Sequence, residues 1–309
     1  MRGLLKRKPK AENRIENLGR WPLRMTTFRL QGNYEFVPGN FPEIYFVEAG
    51  DFLHDTANST QALQEGAIIV SHPGHRHAIR QGVGVVITRL RFLPEWLVPE
   101  YELIAHAPAT LGLFFDQSWL RYRRAENWQV FKTDDTTKLR VRAEVVYLTE
   151  ILRQQKERLP TARIALLKLM DVLAGEHDRF WRGRTDFVIL ASTRHVMDQV
   201  ETYLRRQIPF DFATMPRLDF EKAVLQSEFL ENTGLSIEDY AKRRRIFHAA
   251  AQLISTPAET RHVLREFGYD SSATFSAEFV TVFGVSPQVY RDTYGYTAAP
   301  PEAKEGEGA

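Results

Sequence analysis

Apolar and polar residues follow two different periods along the chain, and the change of period divides it into two parts. Up to about residue 95, short apolar or alternating runs are separated by turn-forming pairs such as Pro73-Gly74, which predicts strands. Several short strands at nearly even spacing favour a β-sandwich or β-barrel over a βαβ sheet. The predicted strands are Met25–Leu30, Glu43–Glu48, Ala67–Val70 and Gly84–Phe92.

After residue 136 the apolar positions recur at the spacing of an α-helix. The stretch Lys138–Leu159 predicts one amphipathic helix, and Pro160 ends it because proline cannot continue the hydrogen-bond ladder. A second helix is predicted over Thr161–Ala174, with Gly175 just past its end. Two such helices joined at a proline predict a helical hairpin.

The first helix of this hairpin carries an apolar stripe that is wider than one short partner helix would cover. Part of the stripe is therefore expected to face a second subunit, and the hairpin is predicted to mediate dimerisation. Leu148 and Ile151 are the two positions that we expect at this subunit contact.

From about residue 195 the chain is predicted to be helical, with a repeated pattern of short helix, glycine turn and second short helix. Ser236 begins one helix with a capping box, and Asp270 or Ser271 caps a later helix that ends at Gly284. Ser286-Pro287 begins the last helix with a cap and a proline in the preferred order. This spacing is typical of a helix-turn-helix. The predicted helices run from Ile237 to Thr256, from Pro257 to Phe267 with Gly268 behind it, from Ser272 to Phe283, and onward from Pro287.

The composition limits the chemistry that the chain can perform. Its 309 residues are enough for two domains, and the absence of cysteine excludes disulfides, cysteine-ligated zinc and thiol catalysis. The longest apolar runs, such as Val83–Ile87, are too short to cross a bilayer. The basic segment Met1–Lys10 is not followed by the apolar core of a secretory signal. We therefore expect a cytoplasmic protein without a membrane partner.

The C-terminal motifs resemble those of the AraC/XylS family of transcription regulators. The stretches Phe267-Gly-Tyr-Asp-Ser-Ser-Ala-Thr-Phe275 and Phe283-Gly-Val-Ser-Pro287, followed by Tyr290-Arg291, are similar to the second helix-turn-helix of that family. Thr233-Gly-Leu-Ser236 and the residues before it resemble the first unit. Pro216 lies where the first helix of that unit is expected, and it predicts a short or kinked helix there.

The segment Gly66–His77 is similar to the second sequence motif of cupin barrels, in which an apolar strand leads to Pro-Gly and a histidine. Together, the cupin and AraC/XylS resemblances imply an α+β multidomain protein. It would have an N-terminal cupin-like β-barrel as sensor, a helical hairpin and a C-terminal all-α domain with two helix-turn-helix units. The expected parts are a basic flexible arm (1–20), the cupin-like sensor domain (21–130), the helical dimerisation and linker region (131–190), the double helix-turn-helix domain (191–296) and a disordered tail (297–309).

Histidines in the cupin-like motif suggest a metal site. His72, His75 and His77 converge on one turn, where Glu43 or His54 would have to assist them. Metal-binding cupins take most ligands from an earlier His-x-His…Glu motif, and the matching stretch 39–50 contains no histidine. We therefore expect no metal and no cofactor, with His77 hydrogen-bonded at the barrel mouth and His72 and His75 at the surface.

A small molecule of unknown identity is the expected ligand of the barrel. An aromatic wall for it is predicted from the residues below, while the alternative is that the same side chains fill the barrel core. The sequence contains no Ser-His-Asp grouping, P-loop or dinucleotide-binding turn, so we assign no catalytic residue and expect no enzyme. The predicted ligand-binding residues are Tyr34, Phe36, Tyr45, Phe46 and His77.

The family resemblance implies a homodimer that binds double-stranded DNA and responds to the small molecule, with RNA polymerase as a further candidate partner. Arg243 and Arg244, within the basic run Lys242–Arg245, are predicted phosphate contacts, and a solvated helix face is the alternative. Exposed residues of the two recognition helices are predicted to read bases. These are Lys222, Ala223, Gln226 and Ser227 on the first helix and Ser272, Ala273, Ser276 and Ala277 on the second.

Both predicted recognition helices are poor in basic residues. The stretch Ser272–Phe283 contains neither lysine nor arginine. Between His195 and Gly295 there are 11 Lys and Arg against 14 Asp and Glu, so this part of the chain has a formal charge of −3. Few phosphate contacts are expected from such a domain. The alternative function is therefore an AraC-like protein-interaction module that has lost autonomous DNA binding.

Overall fold

An antiparallel sheet of six strands forms the N-terminal part of the chain in the computed structural model. The structure describes residues 18, 22–36, 39–121, 128–153, 159–181, 188–208, 210–215 and 221–295; the predicted basic arm (save Leu18), the predicted tail and Pro216 lie outside these ranges. The strand order is β1-β5-β2-β4-β6, and β3 forms a hairpin with β2. The strands are β1 (Leu23–Phe36), β2 (Glu43–Thr56), β3 (Thr60–Gln64), β4 (Ala67–Ser71), β5 (His77–Phe92) and β6 (Trp128–Lys132).

This sheet buries apolar side chains on both of its faces, because successive residues of a strand point to opposite sides. Tyr45 and Ile69 belong to the cluster on the inner face, and their neighbours Phe46 and Ile68 belong to the cluster on the outer face. The long strands β1, β2 and β5 change register at irregular positions, where β-bulges bend a sheet. The curved sheet is the predicted cupin-like barrel.

Helices cover the outer face of the sheet. The chain passes through a 3-10 turn (Pro94–Glu100) and three short helical segments, α1, α2 and a π-helical turn, before it reaches β6. The predicted hairpin follows as two longer helices. These elements are α1 (Tyr101–Ala105), α2 (Pro108–Thr110), the π-helical turn (Leu111–Phe115), α3 (Asp135–Arg153) and α4 (Leu159–Phe180).

The hairpin differs from its prediction in two respects. Helix α4 begins at Leu159, with Pro160 in its first turn, and it continues through Gly175 to Phe180 because Glu176 and His177 are buried. Leu148 and Ile151 are 0% and 1% exposed and pack into the core, so their assignment to a subunit contact is wrong. The period of α3 indicates an apolar stripe, but the core of the same chain covers that stripe.

The C-terminal part is helical as predicted, and its caps are observed. The hydroxyl of Ser236 accepts a hydrogen bond from the amide of Asp239 at 3.0 Å, and Ser286 caps the last helix in the same way. Thr256 and Glu259 have extended backbones, so the fourth of these helices begins at Thr260 and not at Pro257. The helices are α5 (Ala191–Arg205), α6 (Lys222–Thr233), α7 (Ile237–Ser255), α8 (Thr260–Glu266), α9 (Ser272–Phe283) and α10 (Pro287–Tyr294).

One continuous apolar core joins the two parts of the chain. It extends from Leu23 on β1 to Tyr294 on α10, and the 3-10 turn after β5 packs against α7. The amide of Arg121 donates a hydrogen bond to the carbonyl oxygen of Thr233 at 2.8 Å. Within the described residues, no helix combines the length and the apolar character that a membrane span requires.

Candidate nucleic-acid interface

Helix α6 presents the first predicted reading surface. Its buried side is held by Leu225 and Phe229, so the residues on the opposite side face solvent. The ammonium group of Lys222 donates a hydrogen bond to the carbonyl oxygen of Ala213 at 2.9 Å, which ties the start of the helix to the preceding turn. The exposed residues are Lys222, Ala223, Gln226 and Ser227.

Helix α9 repeats this arrangement in the second unit. Phe275 and Phe279 anchor its buried side, and the hydroxyl of Ser271 accepts hydrogen bonds from the first amides of the helix. Gly284 ends the helix with φ +73°, as Gly234 ends α6 with φ +72°. Its predicted reading surface is small and uncharged: Ser272, Ala273 and Ala277 are exposed, and Ser276 is half-buried.

The two predicted phosphate contacts on α7 point toward the N-terminal part of the chain, which corrects their assignment. Arg244 is 0% exposed, forms an ion pair with Glu201, and lies 4.2 Å from the centre of the Trp119 ring. Arg243 is half-buried, and its Nε donates a hydrogen bond to the carbonyl oxygen of Ser118 at 2.7 Å. Both side chains join the cupin-like domain to the helix-turn-helix domain.

An ionised carboxylate supports the buried Arg244. Burial raises the pKa of Glu201, but the charge of Arg244 and the hydrogen bond and charge of His248 outweigh burial and bring this pKa to about 2. The Nε2 atom of His248 lies 2.8 Å from the second carboxylate oxygen of Glu201. Nearby, the hydroxyl of Tyr101 donates to Asp198 at 3.0 Å. The junction thus contains a buried ion pair and a second hydrogen bond, with the Arg244 guanidinium beneath the rings of Trp119 and Tyr101.

The barrel interior contains a chain of polar side chains where a ligand was predicted. His77 Nε2 lies 3.0 Å from the hydroxyl of Tyr45, which donates to a carboxylate oxygen of Glu43 at 2.5 Å. His54 Nε2 lies 3.1 Å from His77 Nδ1, and Phe36 stacks on the His77 ring with 4.4 Å between ring centres. Burial lowers the pKa of His54 to about 4 and that of His77 to about 2, so both imidazoles are neutral at pH 7.

Side-chain direction and burial correct two further predictions in this domain, those for Phe46 and His72, whereas the ligand contact of Tyr34 stays a prediction. Phe46 faces the helices and not the barrel interior, because it follows Tyr45 on the same strand. Tyr34 is 37% exposed. His72 is buried with its Nε2 3.2 Å from Asp116, so its placement at the surface is wrong. Within the described ranges, no three potential metal-ligating side chains come together in a cluster.

The fold and this surface define a protein with a cupin-like domain and two helix-turn-helix units. Residues 217–293 match a family model described as a helix-turn-helix domain. The chain is 38% identical over 72 residues to the F1 operon positive regulatory protein of Yersinia pestis, an alignment that covers 23% of this chain and 24% of that protein. Residues 217–293 are therefore a helix-turn-helix domain, and for this part of the chain the predicted resemblance to AraC/XylS regulators is confirmed.

More extended similarities are weaker. The transcriptional activator RhaR of Salmonella arizonae is 21% identical over 254 residues, which cover 81% of this chain and 84% of that protein. Among solved structures, ToxT of Vibrio cholerae aligns with 88% of this chain and 99% of its own, at 11% identity and a TM-score of 0.43. The chain spans about a quarter of the length of the Yersinia relative that it matches.

Proposed function

We propose that this chain regulates transcription by binding double-stranded promoter DNA through α6 and α9. The observation that carries the proposal is the repeated geometry of these helices: each has a buried side with two large apolar anchors, an exposed opposite side and a left-handed glycine at its end. A helix held in this way can enter the major groove with its exposed side chains against base edges. Since the proposed partner is DNA, we also propose a cytoplasmic location.

The charge of the helical domain implies modest DNA affinity for a single copy. Between His195 and Gly295 the formal charge is −3, and Arg243 and Arg244 are directed into the domain junction. Neutralisation of DNA phosphates supplies most of the non-specific affinity of a protein for DNA. Because this domain has few free basic residues, we expect its DNA affinity to depend little on salt concentration. We therefore propose that two copies bind together, because two linked half-sites add their binding energies.

Gln226→Ala is expected to weaken binding of the full-length chain to its target DNA by about 1–3 kcal/mol, because the amide side chain can bind the edge of an adenine at two points. The target is first selected from genomic fragments, and affinities are then measured by fluorescence anisotropy at several salt concentrations. Gln64→Ala, on the exposed strand β3, is the matched control and should leave affinity unchanged.

Two outcomes would contradict this prediction. Equal affinities of the Gln226 and Gln64 variants would show that α6 does not read this base. If the full-length chain selected no genomic fragment at low salt, the regulator proposal would be wrong and the protein-interaction module would take its place.

The second copy is proposed to contact the exposed side of α3. Leu139 and Val146 are 68% and 61% exposed on this side, away from the core. Val146 lies midway between the exposed residues Arg142 and Glu150. An antiparallel, two-fold related copy of α3 would therefore place these opposite charges against each other around a central apolar contact.

The double variant Leu139→Lys, Val146→Lys is expected to convert the proposed dimer to monomers. Each lost apolar contact weakens association by about 1.5–3 kcal/mol. The lysine at position 146 also repels its symmetry copy, and the lysine at position 139 lies opposite Arg153 of the second copy. Sedimentation velocity measures the result, with circular dichroism to confirm folding. Leu103→Lys is the control, because Leu103 is 66% exposed on α1 and lies outside the proposed contact. A folded double variant that sediments like the unmodified chain would contradict the proposed interface.

A further inference from the structure

The side of α9 that faces solvent is apolar at its centre. Successive residues of an α-helix are about 100° apart around the axis, so Ala273, Ala277 and Val280 fall within about 60° of one another. All three are exposed, and Val280 is 43% exposed. They lie on the other side of the helix from Phe275 and Phe279, which are buried. Methyl groups are therefore the part of α9 that a macromolecule approaching this side would meet first.

Two polar side chains beside these methyl groups already have partners within the protein. The hydroxyl of Thr281 donates a hydrogen bond to the carbonyl oxygen of Ala277 at 2.9 Å, which leaves the methyl group of Thr281 to extend the apolar surface. Glu278 is the only charged residue of α9, all of whose residues the structure describes. Its carboxylate accepts a hydrogen bond from the hydroxyl of Tyr269 at 2.6 Å and lies 3.4 Å from Arg245. The carboxylate is thus held by groups of the protein itself.

Helix α6 presents different chemistry on its exposed side. It carries the ammonium group of Lys222, the amide of Gln226 and the carboxylate of Glu231, all on exposed residues. The hydroxyl of Ser227 lies 3.4 Å from that carboxylate. Amide, ammonium and hydroxyl groups can form hydrogen bonds with base edges, whereas methyl groups cannot. The two helices therefore repeat one fold but offer DNA different groups.

We propose that α9 recognises thymine methyl groups, whereas α6 recognises bases by hydrogen bonds. Such recognition rests on the proposed function, in which α9 enters the major groove of DNA. The C5-methyl of thymine is the apolar group that base pairs present in that groove, and alanine and threonine methyl groups contact it. From Ala273 to Val280 the face extends about 10 Å along the helix, which corresponds to about three base steps. The DNA under α9 should therefore contain two or three neighbouring T·A pairs.

Apolar recognition has two measurable properties that phosphate contacts do not share. Each thymine methyl that α9 covers should improve the DNA affinity about fourfold, which is the effect of removing one apolar carbon from water. The contact also releases no counterions, so this fold-change should stay the same when the salt concentration rises. A phosphate contact, in contrast, weakens steeply with salt and is the same for every base sequence.

Replacement of thymine by uracil in the DNA tests this recognition on the full-length chain. Uracil has the same hydrogen-bonding groups as thymine and lacks only the methyl group. Each thymine of a target selected from genomic fragments is replaced singly, and affinities are measured by fluorescence anisotropy at two salt concentrations. Uracil at two or three neighbouring positions should weaken binding by about fourfold each, equally at both salt concentrations. Uracil elsewhere in the target should change the affinity by less than about twofold.

A pair of matched variants connects the sensitive thymines to α9. Val280→Ala removes two exposed methyl groups and leaves a good helix former, so it should weaken binding and abolish the uracil effect at one of those thymines. Val289→Ala is the control: Val289 is 42% exposed on α10, which packs on the buried side of α9 through Tyr290 and Phe279. This control should leave the affinity and every uracil effect unchanged. An effect of uracil on DNA shape alone would be the same for both variants.

Three results would overturn methyl recognition by α9: no effect of uracil at any thymine, equal effects at all thymines, or uracil effects that Val280→Ala leaves unchanged. Each of these is obtained with a chain that binds its selected DNA, so the regulator proposal would stand while the assignment to α9 would be wrong. A chain that selects no DNA would contradict the regulator proposal itself, and the recognition of thymine with it.

Discussion

Replacement of Glu201 by glutamine is expected to destabilise the chain by about 3–5 kcal/mol, because it leaves the charge of Arg244 buried without its counter-charge. The side chains of these two residues are 2% and 0% exposed. Water therefore cannot solvate the arginine when the carboxylate is absent. The free energy of unfolding is measured by urea denaturation at pH 7, where the carboxylate of Glu201 is ionised.

Two comparisons isolate the effect of burial. Glu102→Gln removes an exposed carboxylate that also pairs with an arginine, Arg205, and it should leave the stability unchanged within error because solvent screens that pair. Combined replacement of Glu201 by leucine and Arg244 by methionine removes both charges and should recover most of the lost stability. Similar stabilities of the Glu201 and Glu102 variants would contradict the network described at the junction.

Gly234→Ala is expected to cost more stability than Gly284→Ala, although the two glycines have nearly the same backbone conformation, φ +72° and +73°. An alanine in this left-handed region costs about 1–2 kcal/mol at either position. At Gly234 the added methyl group would also overlap the carbonyl group of Arg121, whose carbon would lie 2.8 Å away. At Gly284 the added methyl group would have no heavy atom within 4 Å beyond its own chain neighbours and helix backbone.

The overlap at Gly234 should add about 1–3 kcal/mol, which is the usual cost of overpacking. It is also expected to weaken the hydrogen bond between the Arg121 amide and Thr233, because that backbone must move away. Thermal and urea denaturation of the two variants give the difference directly. Equal losses of stability at the two positions would show that the cupin-like domain does not pack against this turn in solution.

The helices of the C-terminal domain follow from sequence because their determinants are local. A serine three residues before the amide that it caps, as at Ser236, acts within one turn of the chain. Glycine at positions 234 and 284 ends each helix through its own backbone freedom. The paired phenylalanines of α9 lie on one side at helical spacing, so the buried and exposed sides of α9 were predictable, and with them the surface proposed to read DNA.

Fewer of the strands were predicted, because a strand is stabilised by hydrogen bonds to a partner strand that can be distant in the sequence. Strand β3 is polar and largely exposed, and it exists through its hairpin with β2. Strand β6 lies more than 50 residues from β4, with which it pairs, so no local pattern indicates it. Helix α4 is also longer than predicted, because residues of its last turns are buried in the core.

Sequence alone predicted the resemblance to the AraC/XylS family, the two helix-turn-helix units, the serine caps and the exposed sides of α6 and α9. Only the tertiary structure decided what covers each side of the remaining elements. From sequence, the basic run on α7 could contact DNA phosphates or face solvent. In the structure Arg243 contacts Ser118. Arg244 contacts Trp119 and Glu201, so both arginines lie in the domain junction. The period of apolar residues along a helix determines which residues share a side. It does not determine which element packs on that side. Arg243, for example, contacts Ser118, which is more than 100 residues away in the sequence, so no local pattern predicts the contact.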